Sequence, residues 1–256
     1  MEDDFKNKGA VAFIDILGFK GIWQRRNPKE VLYILNKVPE TIINSYEHPP
    51  QNWPETSPPQ VVILSDTIVI TIDTKETTPE SEKPSCLLIL GNIINGVIRH
   101  LYKGNFFIRG AVGYGEYIQS KNTFIGPLID DVASWYEVAD LIGIISTPKT
   151  NYIIDQLSNM NTKFEYNNFK VPLFIKYDVP YKSDNVYPLN CLNWPGYLQA
   201  AYNESPNNSS KSKTHILMEQ LFTKQAEFDS SVLKKYENTL KFVDHAVCSI
   251  KLKSDE

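Results

Sequence analysis

The sequence predicts an α+β domain built on an antiparallel sheet with helices against one face. Three observations lead there. Short apolar runs rich in β-formers alternate with longer helical patterns. From residue 10 to residue 117 the order of those segments is β-α-β-β-α-β. The 256 residues contain no internal repeat, and a 42% apolar fraction suffices for one sizeable core.

Residues 10–16, AVAFIDI, are short enough for a buried strand, which ends at Leu17, Gly18 and Phe19, where a helix is expected to open. Asn27 and Pro28 make an N-cap and first-turn pair for a helix reaching about Tyr46, kinked or divided by Pro39. The proline-rich stretch 48–59 is loop. VVIL at 61–64 and IVITI at 68–72 read as a hairpin with Ser65-Asp66-Thr67 at its tip, although an Asn-Gly or Asp-Gly turn is missing. A polar loop over 73–84 leads to a helix over 85–102 and a strand over 106–117 with glycines at 110, 113 and 115. A helix over 128–141 and a strand over 142–146 follow. This order matches the ferredoxin-like arrangement. Beyond it, 171–177 and 186–189 read as strands, 203–214 as a Ser/Asn loop, and 214–227 and 229–244 as helices.

Composition excludes several classes. Net charge is −4 with no basic cluster, which argues against nucleic acid as a partner. No apolar run approaches the ~20 residues that span a bilayer, and MEDDFKNKG lacks the layout of a signal peptide, so a cytoplasmic protein without a membrane partner is expected. Cys86, Cys191 and Cys248 are too scattered for a zinc ribbon or disulfide scaffold. His48, His100, His215 and His245 show no ligand spacing.

Two aspartates carry the chemistry. Asp15 interrupts an apolar strand, and a charge in such company must be paired or bind a metal. Asp66 sits at the hairpin tip, and in a β-α-β-β sheet the two carboxylates meet at one end. Paired carboxylates suit Mg²⁺ or Mn²⁺ holding a triphosphate. A helix opening at Leu17, Gly18 and Phe19 adds free N–H groups for phosphate oxygens. The competing reading is that Asp15 is satisfied by neighbouring amides and Asp66 is an ordinary turn residue. Gly110, Gly113 and Gly115 do not follow a dinucleotide fingerprint; a strand with small residues under a close neighbour explains them as well as a ligand does. Asp130 and Asp131 lie in the first turn of a helix, where acidic side chains favour the dipole without any catalytic role.

In order and spacing, FIDILGF at 13–19, Ser65-Asp66-Thr67, RGAVG at 109–113 and the stretch 126–137 resemble the class III nucleotidyl cyclase domain. They look closest to the bacterial pyrimidine cyclases of the anti-phage systems called Pycsar, which make cyclic UMP or cyclic CMP. VPLFIKY at 171–177 and LNWP at 192–195 resemble that subgroup too. The resemblance covers about residues 8–180, so 181–256 is expected to be an extension packed on the core. It implies a head-to-tail homodimer with sites at the interface, and a downstream effector that responds to the cyclic pyrimidine. It implies two divalent metal ions (Mn²⁺ or Mg²⁺) on Asp15, Asp66 and the Ile16 carbonyl, with phosphates at the backbone of Leu17, Gly18 and Phe19.

The departures from that family bear on substrate. Purine-specific members carry a lysine where this chain has Val62, and a second base-reading position is Thr123. Their transition-state asparagine and arginine are replaced by Asp130 and Ser134, which leaves Arg109 as a candidate for steadying charge, or as an arginine paired with a core carboxylate. UTP is favoured over CTP by the resemblance alone. Two other readings stay open: a degenerate cyclase-like domain that binds nucleotide without chemistry, and an interaction protein whose aspartates are incidental.

Overall fold

Strand β1 (Asn7–Ile16) is an inner strand of the main sheet in the computed structural model, which describes residues 7–47, 55–121, 123–158, 163–166, 169–183, 185–202, 212–224 and 230–252. Ala10, Val11 and Ala12 are all fully buried, so both faces of its first half are covered, where helices against one face were expected. The second half alternates, with Ile14 and Ile16 buried and Phe13 and Asp15 half-buried.

The chain then turns through two left-handed glycines, Gly18 (φ 70°) and Gly21 (φ 71°), into α1 (Ile22–Arg25). The helix expected at 17–19 therefore opens only at Ile22 and lasts one turn, because left-handed residues cannot continue a right-handed helix. Asn27 Oδ1 accepts from Lys29 N (2.9 Å) and caps α2 (Pro28–Asn36). Lys37 separates it from α3 (Val38–Glu47), whose first turn holds Pro39, the expected divider.

β2 (Gln60–Leu64) and β3 (Thr67–Asp73) form the hairpin around Ser65 and Asp66. Ser65, at φ 58°, takes the left-handed conformation that asparagine or glycine usually supplies. A 3-10 turn (Lys83–Ser85) leads to α4 (Cys86–Lys103). That stretch is long and apolar enough to cross a membrane by composition, yet 67% of it is buried inside the protein. There follow β4 (Ile108–Ser120), β5 (Thr123–Ile125), α5 (Pro127–Trp135), β6 (Gly143–Ser146), α6 (Pro148–Ser158) and β7 (Lys163–Tyr166). The chain continues with β8 (Phe169–Pro172), β9 (Phe174–Pro180), β10 (Val186–Leu192), α7 (Trp194–Ala201), α8 (Lys213–Lys224), α9 (Ser230–Val247) and β11 (Lys251–Leu252).

β1 lies between β3 and β4, antiparallel to both, with β2 outside β3. This is the ferredoxin-like order. Beyond β4 the sheet continues through β6, parallel to β4, then β10 and β9, while β7, β8 and β11 form a second, three-stranded sheet. The strand expected over 171–177 is thus divided between two sheets. Pro172 ends the first part, since it has no N–H to extend a ladder. A division at 180/181 falls inside the β9–β10 hairpin, so the main sheet draws on both sides of it. The loops at 48–59 and 203–214 and the end of the helix over 214–227 lie largely outside the described residues.

The glycines of β4 serve close packing. A Cβ on Gly110 would lie 2.2 Å from the Phe13 carbonyl oxygen, and one on Gly113 2.5 Å from Val132 of α5. Cys86 and Cys191 are buried and Cys248 is exposed, all as free thiols.

Candidate active site

β1 and the β2–β3 turn bring the two aspartates to one end of the sheet. Asp15 pairs across with Thr67 on one side and with Arg109 on the other. The Ile16 N–H donates to the Asp66 carbonyl at 2.8 Å, tying the turn to the end of β1. The two carboxylates feel each other: burial pushes the Asp15 carboxyl above its ordinary value, Arg109 pulls it down, and the charges of Asp66 and Glu137 add to the rise.

Arg109 holds the centre of this cluster. Its Nε donates to Asp15 Oδ2 at 2.9 Å, and its Nη2 lies 3.6 Å from Glu137 Oε2. Its Nη1 donates to the Glu137 carbonyl at 3.4 Å. Of the two roles open to Arg109, the structure displays the pairing with a carboxylate near the core, and that carboxylate is Asp15. Among the described residues nothing donates to the Asp66 carboxylate.

The loop after β1 is the next part. Leu17 N–H donates to the Phe107 carbonyl at 2.8 Å, so its amide is spent on the sheet. Among the described residues the N–H groups of Gly18 and Phe19 take no acceptor. Of the three amides expected to receive phosphates, two are therefore open. They belong to a turn with left-handed glycines rather than to a helix end, and such turns aim consecutive N–H groups at an anion. Arg25 braces the loop by donating to the carbonyls of Gly18 and Lys20. Phe19 is buried, its ring edge-on to Trp23 at 5.5 Å. Leu17 and Gly18 line a cleft of ≈ 970 Å³ with Lys20, Arg25, Arg26, Phe106 and Phe107.

Two expected residues do not join this group. Thr123, exposed on β5, pairs with Ser120 at the far end of β4 from Arg109. Asp130 is exposed in the first turn of α5, where its carbonyl accepts from Ser134 Oγ at 2.7 Å, and no bond links it to Asp15 or Asp66. Its neighbour Asp131 accepts from Thr147 Oγ1 at 2.7 Å and serves the fold.

Among the described residues no three His, Cys, Asp or Glu side chains converge as a metal site. The donor set of Asp15 and Asp66 nevertheless fits a hard divalent cation: two carboxylates that repel each other, one of them without a partner among the described residues, beside open backbone N–H groups. Such a cation completes its shell with waters and substrate oxygens rather than with a protein cage. Sequence reasoning missed Glu137, Lys20 and Lys235, the last of which lines the same cleft from α9.

No family model and no curated protein sequence matches the chain. Solved structures of similar outline include the guanylate cyclase domain of RhGC from Catenaria anguillulae in complex with GTP, at 14% identity and a TM-score of 0.45, covering 73% of this chain and 96% of that one. The guanylyl cyclase Cya2 matches at 11% and 0.41, covering 73% and 91%. A bacterial light-regulated adenylyl cyclase matches at 14% and 0.41, covering 84% and 98%. At such identities and scores the likeness is one of outline and assigns no residue a role.

Proposed function

We propose that the protein is a nucleotidyl cyclase whose substrate is a pyrimidine nucleoside triphosphate, UTP before CTP. The observation that carries the reading is the meeting of Asp15 and Asp66 beside a loop with open N–H groups and a cation-lined cleft. In the reaction the ribose 3′-hydroxyl gives up its proton to solvent and its oxygen attacks the α-phosphorus in line. A new P–O bond forms, the bond to the bridging oxygen of the β-phosphate breaks, and pyrophosphate leaves. Asp15, Asp66 and the Ile16 carbonyl would hold two divalent ions, Mn²⁺ or Mg²⁺. Bound there, the ions would supply charge neutralisation and a more acidic 3′-hydroxyl. Gly18 and Phe19 would bind phosphate oxygens and hold the α-phosphorus in place.

The substrate class rests on the residues that depart from the purine pattern: Val62, Thr123, Asp130 and Ser134. Thr123 and Asp130 stand apart from Asp15 within one chain, which supports a head-to-tail dimer in which each site draws on both chains. A cyclic pyrimidine made this way is a second messenger, and an effector gated by it in anti-phage defence is the expected partner.

A second reading, a nucleotide-binding domain without turnover, is favoured by one observation. Arg109 is committed to Asp15 and Glu137, while no asparagine or arginine stands at 130 or 134. The test is incubation of the purified protein with each of the four ribonucleoside triphosphates and Mn²⁺, with product identification by mass spectrometry. A 3′,5′-cyclic pyrimidine monophosphate is the expected product. Nucleotide binding without any cyclic product would support the second reading instead.

A further inference from the structure

The cleft beside Gly18 is lined by several segments, two of which lie far apart in the chain. One is the loop after β1, with Leu17, Gly18 and Lys20; the other is α9, with Val232, Lys235 and Tyr236. Several contacts fix the register of α9 against the sheet. Ile142 N–H donates to Thr239 Oγ1 at 2.9 Å, and Asn238 Nδ2 donates to the Asp140 carbonyl at 2.9 Å. Phe242 is fully buried against Tyr177 and Trp194. Tyr236 stacks on Phe222 of α8 with centroids 3.9 Å apart and meets Phe107 edge-on. Lys235 lies one helical turn before Thr239, so these anchors also set where it sits.

The cations around the cleft divide into two groups. Arg26 is spent on Glu30, the Gly104 carbonyl and the Phe106 ring, and Arg25 on the Gly18 and Lys20 carbonyls. Among the described residues, no hydrogen bond or ion pair engages the ammonium groups of Lys20 and Lys235. Glu30, the one acidic residue lining the cleft among the described residues, is already paired. Burial and the nearby charge of Arg109 hold Lys235 below its ordinary value, opposed by Asp140; Lys182 lowers it further and Asp15 opposes. A half-buried cation that no carboxylate pairs directly is costly unless an anion joins it.

We propose that the C-terminal helix α9 supplies a substrate-binding residue, Lys235, which binds the terminal phosphates of a nucleoside triphosphate lying in the cleft opposite the Gly18 loop. A cleft of ≈ 970 Å³ with uncommitted cations from two parts of the chain suits a polyphosphate rather than a single carboxylate. The inference rests on the nucleotide-substrate reading above and deepens it, giving the extension a direct part in the site.

The test is calorimetric titration of the full chain with inorganic tripolyphosphate, alongside steady-state turnover of the preferred nucleotide. The variants are Lys235→Met, which keeps the apolar stem, Lys235→Arg, and Lys234→Met as a neighbour control. Lys235→Met should weaken tripolyphosphate binding roughly tenfold, the scale of one charge-assisted contact. It should raise KM more than it lowers kcat. Lys235→Arg should restore most of the binding, and Lys234→Met, at a residue that pairs with Asp140 at 4.0 Å and does not line the cleft, should match the wild type in binding and turnover. If Lys235→Met melts early, Lys235→Gln takes its place. Wild-type turnover with unchanged tripolyphosphate binding in Lys235→Met overturns this inference alone, as does an equal loss in Lys234→Met. A wild type that neither binds tripolyphosphate nor turns over any nucleotide overturns it together with the cyclase reading.

Discussion

Asp15 is a buried-side carboxylate held by one arginine, and that arrangement has measurable consequences. Removing the guanidinium leaves Asp15 desolvated with Asp66 and Glu137 nearby. Breaking such a pair from one side costs about 3 kcal/mol, so Arg109→Ala should lower the melting temperature by roughly 6–12 °C in a chain of this size. A circular-dichroism melt checks this; a shift under about 2 °C would mean the pair contributes only as a surface bridge does. The raised Asp15 carboxyl also sets a pH dependence. Its folded value lies above the unfolded one, so the metal-free fold binds the proton more readily, and this group's stabilising effect is lost as pH rises through that window. Metal needs the deprotonated form. Mn²⁺ affinity should therefore fall with decreasing pH, beginning above the ordinary aspartate value of 3.8. Titration calorimetry at several pH values reads it. The meeting of the two aspartates at one end of the sheet was legible because each breaks an apolar run. The approach of Glu137 to Arg109 and of Lys235 to the cleft was not, since both come by tertiary packing from later segments and no local pattern marks them.

At the scale of elements, helix α9 is held by specific bonds rather than by apolar contact alone. Thr239 bonds both the Lys235 carbonyl and the Ile142 N–H. Thr239→Val keeps the shape but leaves a buried N–H without an acceptor, at a cost of about 1–3 kcal/mol. Chemical denaturation measures that loss, and KM for the nucleotide should rise with it, because the same helix carries Lys235. Unchanged stability would contradict the anchoring of α9. Several elements were readable from local chemistry: Asn27-Pro28 started a helix, Pro39 divided it, and the apolar runs gave β1, β2 and β3. Failures came where other forces won. Two left-handed glycines replaced the helix expected at 17–19. The helix expected over 128–141 stops at Trp135, because Asp140 N–H bonds the Pro180 carbonyl and Ala139 bridges Tyr181. Helix α7 was missed although its signal was present: Asn193 caps it by accepting from Gly196 N at 3.0 Å, with Pro195 just inside.

For the whole molecule, the β-α-β-β-α-β order specified the ferredoxin-like half of the sheet, and the sequence pattern could not specify the rest. β10 sits between β6 and β9, so a strand from beyond residue 180 completes a sheet begun by β1. That insertion is long-range, and alternation within 186–189 carries no information about its neighbours. In consequence the loop that follows β1 shares its cleft with Leu221 of α8 and Lys235 of α9, so early and late segments meet beside that end of the sheet. The central claim is that the two aspartates hold the ions on which cyclisation depends. Its most direct measurement is pyrophosphate release with Mn²⁺ and the preferred triphosphate, comparing wild type with Asp66→Asn. The account predicts a loss of at least roughly 10³-fold, the scale of removing a principal transition-state contact, with the fold intact by circular dichroism. Turnover in Asp66→Asn equal to the wild type would contradict it.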